Sequence, residues 1–180
     1  MRIKTATEPE ISPELDQAIR ALQMRAFPTT ELFRLGRHYK HAARPGDVRV
    51  LAWEGEQLVA QVVLFWGQGV SSGGWSARLA GIGNVCADPA WRGKGLASAC
   101  MTRAMDLARL GGAEFVLLFC APQRKGLYEQ FGFVEVGNEW RLCRPDGQTY
   151  LRDRHDIRMV APLSARAWPA DEVTLDMEDF

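Results

Sequence analysis

The chain has 180 residues with 22 basic and 22 acidic side chains, so its formal net charge at pH 7 is zero. This length suits one hydrophobic core, and we expect residues 1–180 to form a single domain. The balanced charge excludes a general attraction to nucleic acid or to a membrane surface, and a polar start without a long apolar run predicts a cytoplasmic protein.

The first elements predicted in chain order are a strand and two helices. Residues 1–6 are expected to form an edge strand. Ser12-Pro13-Glu14 then supplies an N-cap, a proline at the first helical position and an early acid, which predict a helix that ends at Phe27-Pro28. A second helix is predicted over about residues 31–39.

The next segment has the alternating apolar pattern of strands. Residues 48–52 and 57–67 flank a Glu54-Gly55 turn and predict two antiparallel strands. A second turn at residues 71–74 leads to a third, long strand over residues 75–87. The sequence therefore predicts a meander that precedes the most informative stretch of the chain.

A glycine-rich loop follows this strand after a turn at Asp88-Pro89. Gly93 and Gly95 permit unusual backbone dihedral angles and close approach of a ligand, and a helical pattern covers residues 96–110 directly after them. The exposed N–H groups and the dipole at the start of such a helix attract an anion. We therefore interpret residues 84–97 as a phosphate cradle.

Two charged side chains in the loop, and its mismatch with two known nucleotide-binding motifs, restrict which phosphate ligand the cradle could bind. Arg92 and Lys94 add positive charge to the loop. A Walker loop needs a glycine where Asp88 stands and a serine or threonine where Gly95 stands. The dinucleotide fingerprint needs a third glycine where Ser98 stands. Both of these nucleotide-binding loops are therefore excluded.

The segment after the cradle helix predicts a parallel pair of strands. Gly111-Gly112 ends the helix, and the apolar run at residues 114–120 is typical of a strand buried on both faces. A strand, helix, strand unit of this length implies a right-handed crossover, with a ligand at the carboxyl ends of the strands. A short helix over residues 122–131, a strand from Phe133 and a last strand over residues 155–160 complete the predicted elements.

Two motifs resemble the hallmarks of one superfamily. R-x-x-G-x-A at residues 92–97 resembles the pyrophosphate-binding signature of the GNAT acyl-CoA-dependent N-acyltransferases, and G-L-Y-E-Q-F-G-F at residues 126–133 resembles their second hallmark, an aromatic residue on a short helix before a Gly-Phe step. The resemblance implies an α/β (α+β) single-domain GNAT fold. Its mixed, curved sheet would have about six to seven strands flanked by helices, with a central parallel strand pair that diverges at the acyl-CoA site.

The resemblance also implies roles for particular residues. Acyl transfer from a thioester to an amine passes through a tetrahedral oxyanion and releases a thiolate. Tyr128 matches the general acid, and a phenol with a pKa near 10 is protonated at neutral pH. Ala121 stands where many members carry an asparagine, and Arg124 and Lys125 are expected to compensate by meeting the nucleotide phosphates. The other implied cofactor-binding residues are Val85, Cys86 and Ala87 for the pantetheine arm, and Arg92, Gly93, Lys94, Gly95, Leu96 and Ala97 for the pyrophosphate.

A narrower resemblance concerns the acceptor. The turn at residues 145–149, the Pro162-Leu163 step and the acidic tail at residues 176–180 resemble aminoglycoside 2'-N-acetyltransferases and nodulation N-acyltransferases, which acylate amino sugars. These relatives place an acid on the third strand where this chain has Gly81 and Gly83. The general base therefore stays open among Glu31, Asp88, His155, Asp179, the terminal carboxylate and water. The residues assigned to the acceptor are Glu31, Gly83, Asp179 and Phe180.

The predicted function is transfer of an acetyl group from acetyl-CoA, as co-substrate, to a primary amine of a small molecule by direct attack in a ternary complex. An amino sugar or aminoglycoside is the candidate acceptor. The alternatives are a peptide or protein N-acetyltransferase, a longer-chain N-acyltransferase, and a non-catalytic acyl-CoA sensor. The sequence leaves open whether the chain forms a homodimer. No metal is expected, and four widely spaced thiols suit structural roles: Cys86, Cys100, Cys120 and Cys143.

Overall fold

The structure, a computed structural model, describes residues 1–29, 33, 36–37, 44–152 and 156–178. Within these residues the chain forms ten β-strands and three α-helices. The predicted second helix at residues 31–39 falls largely outside them. In chain order the elements are β1 (Arg2–Thr7), α1 (Pro13–Ala26), β2 (Val48–Glu54), β3 (Gln57–Ser71), β4 (Ser76–Ala87), α2 (Leu96–Leu110), β5 (Phe115–Cys120), α3 (Lys125–Glu129), β6 (Val134–Val136), β7 (Trp140–Cys143), β8 (Thr149–Leu151), β9 (Ile157–Pro162) and β10 (Val173–Leu175).

The chain divides into two compact units. The first contains Met1–Leu64 and Asn84–Ala104, and the second contains Phe65–Gly83 and Met105–Phe180. In the first unit β1 pairs antiparallel with β2, and β2 pairs antiparallel with the first half of β3. The predicted antiparallel meander is confirmed for this part of the chain.

The helix of the first unit begins as predicted. Ser12 Oγ accepts a hydrogen bond from Leu15 N at 3.3 Å, and Pro13 occupies the first turn, where its missing N–H costs nothing. Ile19 and Leu22 have no exposed surface and pack into one apolar cluster with residues of the three strands. Burial of such side chains is worth about 1.5–3 kcal/mol each, so this face secures the helix to the sheet.

The second unit contains a mixed sheet with the strand order β6-β9-β5-β4-β3-β10-β7-β8. β4 runs parallel to β5, with Leu79 opposite Phe115 and Gly81 opposite Leu117, and β10 runs parallel to β7. β9 pairs antiparallel with β5 along the whole length of β5. The parallel pair flanking the crossover helix α2 was predicted from the sequence and is confirmed.

Aromatic rings form much of the interior of the second unit. Successive rings meet edge-on or tilted, with centroids 5.1–5.7 Å apart. The rings concerned are Trp75, Phe115, Trp168, Trp140 and Phe119. Trp75 and Trp168 therefore serve the packing of this unit.

The number of strands differs from the prediction. The described residues contain ten strands rather than six or seven, because β7, β8 and β10 are additional. Each has only three or four residues, which is too short to show a reliable apolar period. Among the described helices none has the length and apolar character needed to cross a membrane.

Candidate functional site

The end of β4 carries the residues predicted to bind the pantetheine arm. Asn84 has a φ of 49° and is the one non-glycine residue with positive φ in the described part of the chain. Asparagine tolerates this conformation, which interrupts the regular pleat of the strand just before Val85. Val85 and Ala87 are half-buried, whereas the Cys86 side chain is 7% exposed and packs into the core of the first unit. Burial also raises the pKa of the Cys86 thiol to about 12. Because the side chain is buried in the core, a ligand can reach Cys86 only through its backbone.

Asp88 fastens the start of the phosphate cradle to the first unit. Its backbone N–H donates to Val59 O at 2.8 Å. One carboxylate oxygen accepts from Ala90 N at 3.0 Å, and the other accepts from Arg25 Nε at 2.6 Å and Gln57 Nε2 at 3.2 Å. These bonds hold the chain where a short 3-10 turn, Pro89–Trp91, leads into the loop.

The hydrogen bonds to the Asp88 carboxylate also determine its pKa. Burial by itself would raise the pKa of Asp88, but the hydrogen bonds from Ala90 and Arg25 outweigh it and hold the pKa below its usual value. The residue is 3% exposed. Asp88 was one of the candidates for the general base, and this geometry makes it an anchoring residue instead.

The glycines of the cradle have the backbone that the sequence predicted. Gly93 has a φ of 76° and Gly95 a φ of 73°, both are exposed, and no atom would lie within 4 Å of a Cβ added at either position. The first intrahelical bond joins Ala99 N to Gly95 O at 2.9 Å. The N–H groups of the three residues before Ala99 therefore have no hydrogen-bond acceptor within the helix.

The side chains of the cradle leave this backbone open. Leu96 is 4% exposed and anchors the first turn of α2, while Arg92 and Lys94 are exposed. Lys94 Nζ lies 4.1 Å from the centroid of the Trp91 ring, a cation–π contact that orders the lysine on the surface of the loop. Two glycines in the left-handed region, a helix N-terminus and two cations together fit the pyrophosphate of a CoA ester.

Tyr128 lies on α3 in the second unit and is 6% exposed. Its ring meets the Phe133 ring edge-on with centroids 6.1 Å apart, and its carbonyl oxygen accepts a hydrogen bond from Phe131 N at 2.9 Å. Burial raises the pKa of Tyr128 to about 12, with a smaller contribution from the neighbouring Cys120. The phenol is therefore protonated throughout the neutral pH range.

Comparison with known proteins identifies the family. Residues 16–133, more than half of the chain, match the sequence model of the Acetyltransferase (GNAT) family. The chain belongs to this family. No curated protein matches the chain.

Solved structures show the same GNAT fold. Escherichia coli ElaA has a TM-score of 0.64 and 18% identity, covering 89% of this chain and 98% of its own. An acyl-CoA N-acyltransferase from Pseudomonas aeruginosa has a TM-score of 0.61 and 21% identity, covering 89% and 98%. A GNAT family acetyltransferase from Brucella melitensis in complex with acetyl-CoA has a TM-score of 0.53 and 19% identity, covering 74% and 83%. At these identities the likeness concerns the fold alone.

The remaining predicted cofactor residues of this GNAT protein lie at the end of β5. Arg124 is exposed at the end of a 3-10 turn, Pro122–Arg124. Lys125 Nζ pairs with Glu135 at 2.8 Å and lies 3.9 Å from Glu129, which raises the pKa of Lys125. Lys125 is therefore engaged with carboxylates, while Arg124 extends into solvent.

The predicted acceptor residues are only partly described. Glu31, Asp179, Phe180 and the candidate base His155 lie outside the described residues. Gly81 is buried in the parallel pair, and Gly83 is half-buried on the same strand. Among the described residues no group of three or more histidine, cysteine, aspartate or glutamate side chains could hold a metal ion.

The tail preceding Asp179 is built into the sheet of the second unit. β10 lies between β3 and β7, and Cys143 N donates to Met177 O at 3.1 Å. Met177 is 2% exposed and lies where a Cβ at Gly67 would overlap its side chain. A glycine at this position therefore lets the tail approach β3.

A cavity in the second unit was missed by sequence reasoning. Its volume is about 360 Å³. The lining residues come from the ends of β5, β7, β8 and β9 and the adjoining loops: Phe119, Glu139, Trp140, Leu151, Arg152, Asp156 and Arg158. No contiguous motif marks these residues, because they meet only through the pairing of short strands.

Proposed function

We propose that this chain is an acetyl-CoA-dependent N-acetyltransferase that acetylates a primary amine of a small molecule, with residues 1–180 acting as one GNAT domain. The observation that carries the proposal is the cradle backbone. Gly93 and Gly95, at φ of 76° and 73°, present the first N–H groups of α2 to solvent beside two exposed cations. Membership of the GNAT family supports acyl-CoA as the anion for which this backbone is built.

The proposed binding roles follow from what each group exposes. The N–H groups of residues 93–97 would take the pyrophosphate, with Arg92 and Lys94 adding charge. Val85, Cys86 and Ala87 would bind the pantetheine arm through their backbone, since the Cys86 side chain faces the core. Exposed Arg124 would meet a nucleotide phosphate.

Tyr128 is proposed as the group that stabilises the departing thiolate. Its pKa of about 12 keeps the phenolic proton in place at neutral pH. A thiol has a pKa of about 8.5, so complete transfer of that proton to the thiolate is uphill by about 5 kcal/mol. A hydrogen bond from the phenol to the developing thiolate is therefore the main contribution, and solvent protonates the released thiolate.

The attacking amine must lose a proton during the reaction. Asp88 is held by Arg25 and buried, so it does not serve as the base. We propose that water accepts the ammonium proton before attack, which leaves the neutral amine that direct attack in a ternary complex requires, and that solvent also accepts the proton that the nitrogen loses as the amide forms.

The acceptor is proposed to be an amino sugar or an aminoglycoside. The support is the turn at residues 145–149 and the acidic tail, which continues the sheet as β10 as far as Leu175. Glu31, Gly83, Asp179 and Phe180 remain the residues proposed to meet the acceptor. Carboxylates at the tail would attract a cationic, polyhydroxylated substrate.

Two measurements test the proposal. CoA affinity is measured by calorimetry for Arg92→Ala and for Arg103→Ala, a matched control at an exposed arginine of α2. Arg92→Ala is expected to weaken CoA binding about 5-fold to 10-fold, because one charge-assisted phosphate contact is lost, while Arg103→Ala leaves it unchanged. Equal affinity in both variants would contradict the cradle assignment.

The second measurement follows thiol release from acetyl-CoA across a panel of amino sugars, aminoglycosides, peptides and simple amines. Release with amino sugars supports the proposal. Release with peptides alone would move the acceptor to protein amines, and release from longer acyl donors alone would make the chain a longer-chain N-acyltransferase. CoA binding without release from any pair would indicate a sensor.

A further inference from the structure

The cavity of the second unit is assembled by strand register. Arg158 stands directly opposite Phe119 in the antiparallel pair of β9 and β5, so both side chains lie on the same face of the sheet. The Phe119 and Trp140 rings meet edge-on with centroids 5.1 Å apart. Two aromatic rings and the Arg158 guanidinium therefore converge on one space of about 360 Å³, which is within the size range of small-molecule sites.

Part of the charge around this cavity is already paired. Arg152 Nη2 lies 3.1 Å from Asp156 Oδ2, and the Arg152 guanidinium carbon lies 4.2 Å from the centroid of the Phe119 ring. That pair closes one wall with little net charge. The charges that remain are the guanidinium of Arg158 and the carboxylate of Glu139, which is exposed.

Trp140 and Arg158, which both line the cavity, each have a buried donor without an acceptor among the described residues. Within the described part of the chain, Trp140 Nε1 and Arg158 Nε are inaccessible to solvent and make no hydrogen bond. Trp140 as a whole is 2% exposed. Arg158 makes one long hydrogen bond from Nη2, to Gly137 O at 3.5 Å, and no ion pair among those same residues.

An unsatisfied buried donor costs about 1–3 kcal/mol, more when it is charged, so an acceptor supplied by a ligand would be favourable once a rotation of each side chain turns its donor toward the cavity. Both groups donate, and neither can accept. The ligand must therefore supply acceptor oxygens, and a guanidinium prefers a carboxylate or a phosphate, which it can bind with two parallel hydrogen bonds. The aromatic walls favour a compact body attached to that oxyanion.

We propose that this cavity binds the carboxylate or phosphate of a small molecule through Arg158 and Trp140. Resting on the proposed function, we further infer that this molecule is the acceptor, so that the acceptor carries an oxyanion as well as its amine. Glu139 at the same cavity is placed to attract the amine end. The substrate class is then an amino acid or an acidic amino sugar.

The test uses matched pairs of amines that differ by one oxyanion. Glucosamine is compared with glucosamine 6-phosphate, and phenethylamine with phenylalanine, in calorimetric binding to the full chain. The oxyanion member of at least one pair is expected to bind ten-fold or more tightly than its partner, and the pair that responds distinguishes phosphate from carboxylate. Equal binding within both pairs overturns the cavity assignment.

Variants locate the effect. Arg158→Gln is expected to abolish the difference, Trp140→Phe to reduce it, and Arg158→Lys to retain part of it by charge alone. Arg141→Gln is the matched control, because Arg141 on β7 is paired with Glu172 at 2.8 Å outside the cavity lining. Thermal unfolding of each variant establishes that it is folded. An undiminished difference in folded Arg158→Gln overturns the proposal.

Thiol release separates this inference from the proposed function. Acetylation of amines with no preference for an oxyanion, and no effect of Arg158→Gln, overturns the cavity proposal and leaves the N-acetyltransferase. Oxyanion-dependent binding that Arg158→Gln removes, without acetylation of any ligand that binds, supports the anion site and overturns its identification with the acceptor.

Discussion

Replacement of Tyr128 by phenylalanine removes the phenolic oxygen and leaves the ring that packs edge-on against Phe133 at 6.1 Å. We expect the free energy of unfolding at pH 7 to stay nearly unchanged and kcat to fall about 10-fold to 100-fold. General acids typically contribute about 10²-fold to 10⁴-fold. The low end applies because a phenol with a pKa of about 12 shares its proton with a thiolate but does not readily give it up.

The raised pKa also sets the pH dependence. Tyr128 needs its proton to act, and that proton is retained until the pH approaches about 12, so Tyr128 causes no fall in kcat between pH 7 and 10. The same shift means that ionisation of Tyr128 opposes folding. The stabilising contribution of the protonated phenol is complete below the unfolded pKa near 10 and is lost as the pH rises toward 12.

The assay is thiol release from acetyl-CoA with a saturating amine, measured from pH 6 to 10 for the unaltered chain and for the variant. Tyr150→Phe is the matched control, because Tyr150 lies on β8 beneath Arg144, with the guanidinium carbon 4.9 Å from the ring centroid. An alkaline limb near pH 9 that disappears only in Tyr128→Phe would refute the raised pKa. Equal kcat in all three proteins would refute the role of the phenol.

Three further predictions concern the first unit and the thiols. Gly95→Ala, at a φ of 73°, should lower the free energy of unfolding by about 1–2 kcal/mol and weaken CoA binding ten-fold or more. Gly55→Ala, at a φ of 57° in the open β2–β3 turn, should cost the same stability and leave the CoA affinity measured by calorimetry unchanged. Equal CoA affinities in the two variants would contradict the cradle geometry. Asp88→Asn should lower the free energy of unfolding, measured with urea at pH 7, by about 1–3 kcal/mol relative to the unaltered chain. Because the pKa of Asp88 is lowered in the folded chain, this difference in stability should persist down to about pH 4 and shrink only below it. A difference that is already absent at pH 5 would exclude the ion pair with Arg25 as its source. A thiol reagent should label half-buried Cys143 first, since burial raises the pKa of the other three thiols to about 11 or 12, and rapid labelling of two or more thiols in the folded chain would contradict this.

The cofactor side of the site was predictable because its determinants are local. The helix α2 covers Leu96–Leu110, which is the range predicted, since Gly95 precedes it and Gly111-Gly112 follows it. The positive φ of Gly93 and Gly95 also follows from residue type and neighbours. Each of these determinants lies within a few residues of the backbone that it controls, so a single sequence suffices to read it.

The support of the cradle was not predictable in the same way. The sequence offers Asp88 as a candidate base, but its anchoring role depends on contacts with Arg25 and Gln57, which are 63 and 31 residues away along the chain. Gly111 is a similar case. It ends α2 as predicted, but a Cβ there would also overlap the Trp66 ring, a constraint that a helix-end rule does not contain. Tertiary contacts of this kind leave no periodic signal.

The proposed acceptor cavity depends still more on distant pairings. The cavity walls come from β5, β7, β8 and β9, and its donors are placed by register, with Arg158 opposite Phe119 and Trp140 on a strand of four residues. A shift of one residue in β9 would move Arg158 to the other face of the sheet and remove the guanidinium from the cavity. Short motifs therefore predict the cradle in this chain, whereas the cavity depends on strand register that no motif encodes. Under our proposal, the unpaired donors of Arg158 and Trp140 therefore add an oxyanion to the acceptor chemistry that the short sequence motifs of the tail suggest.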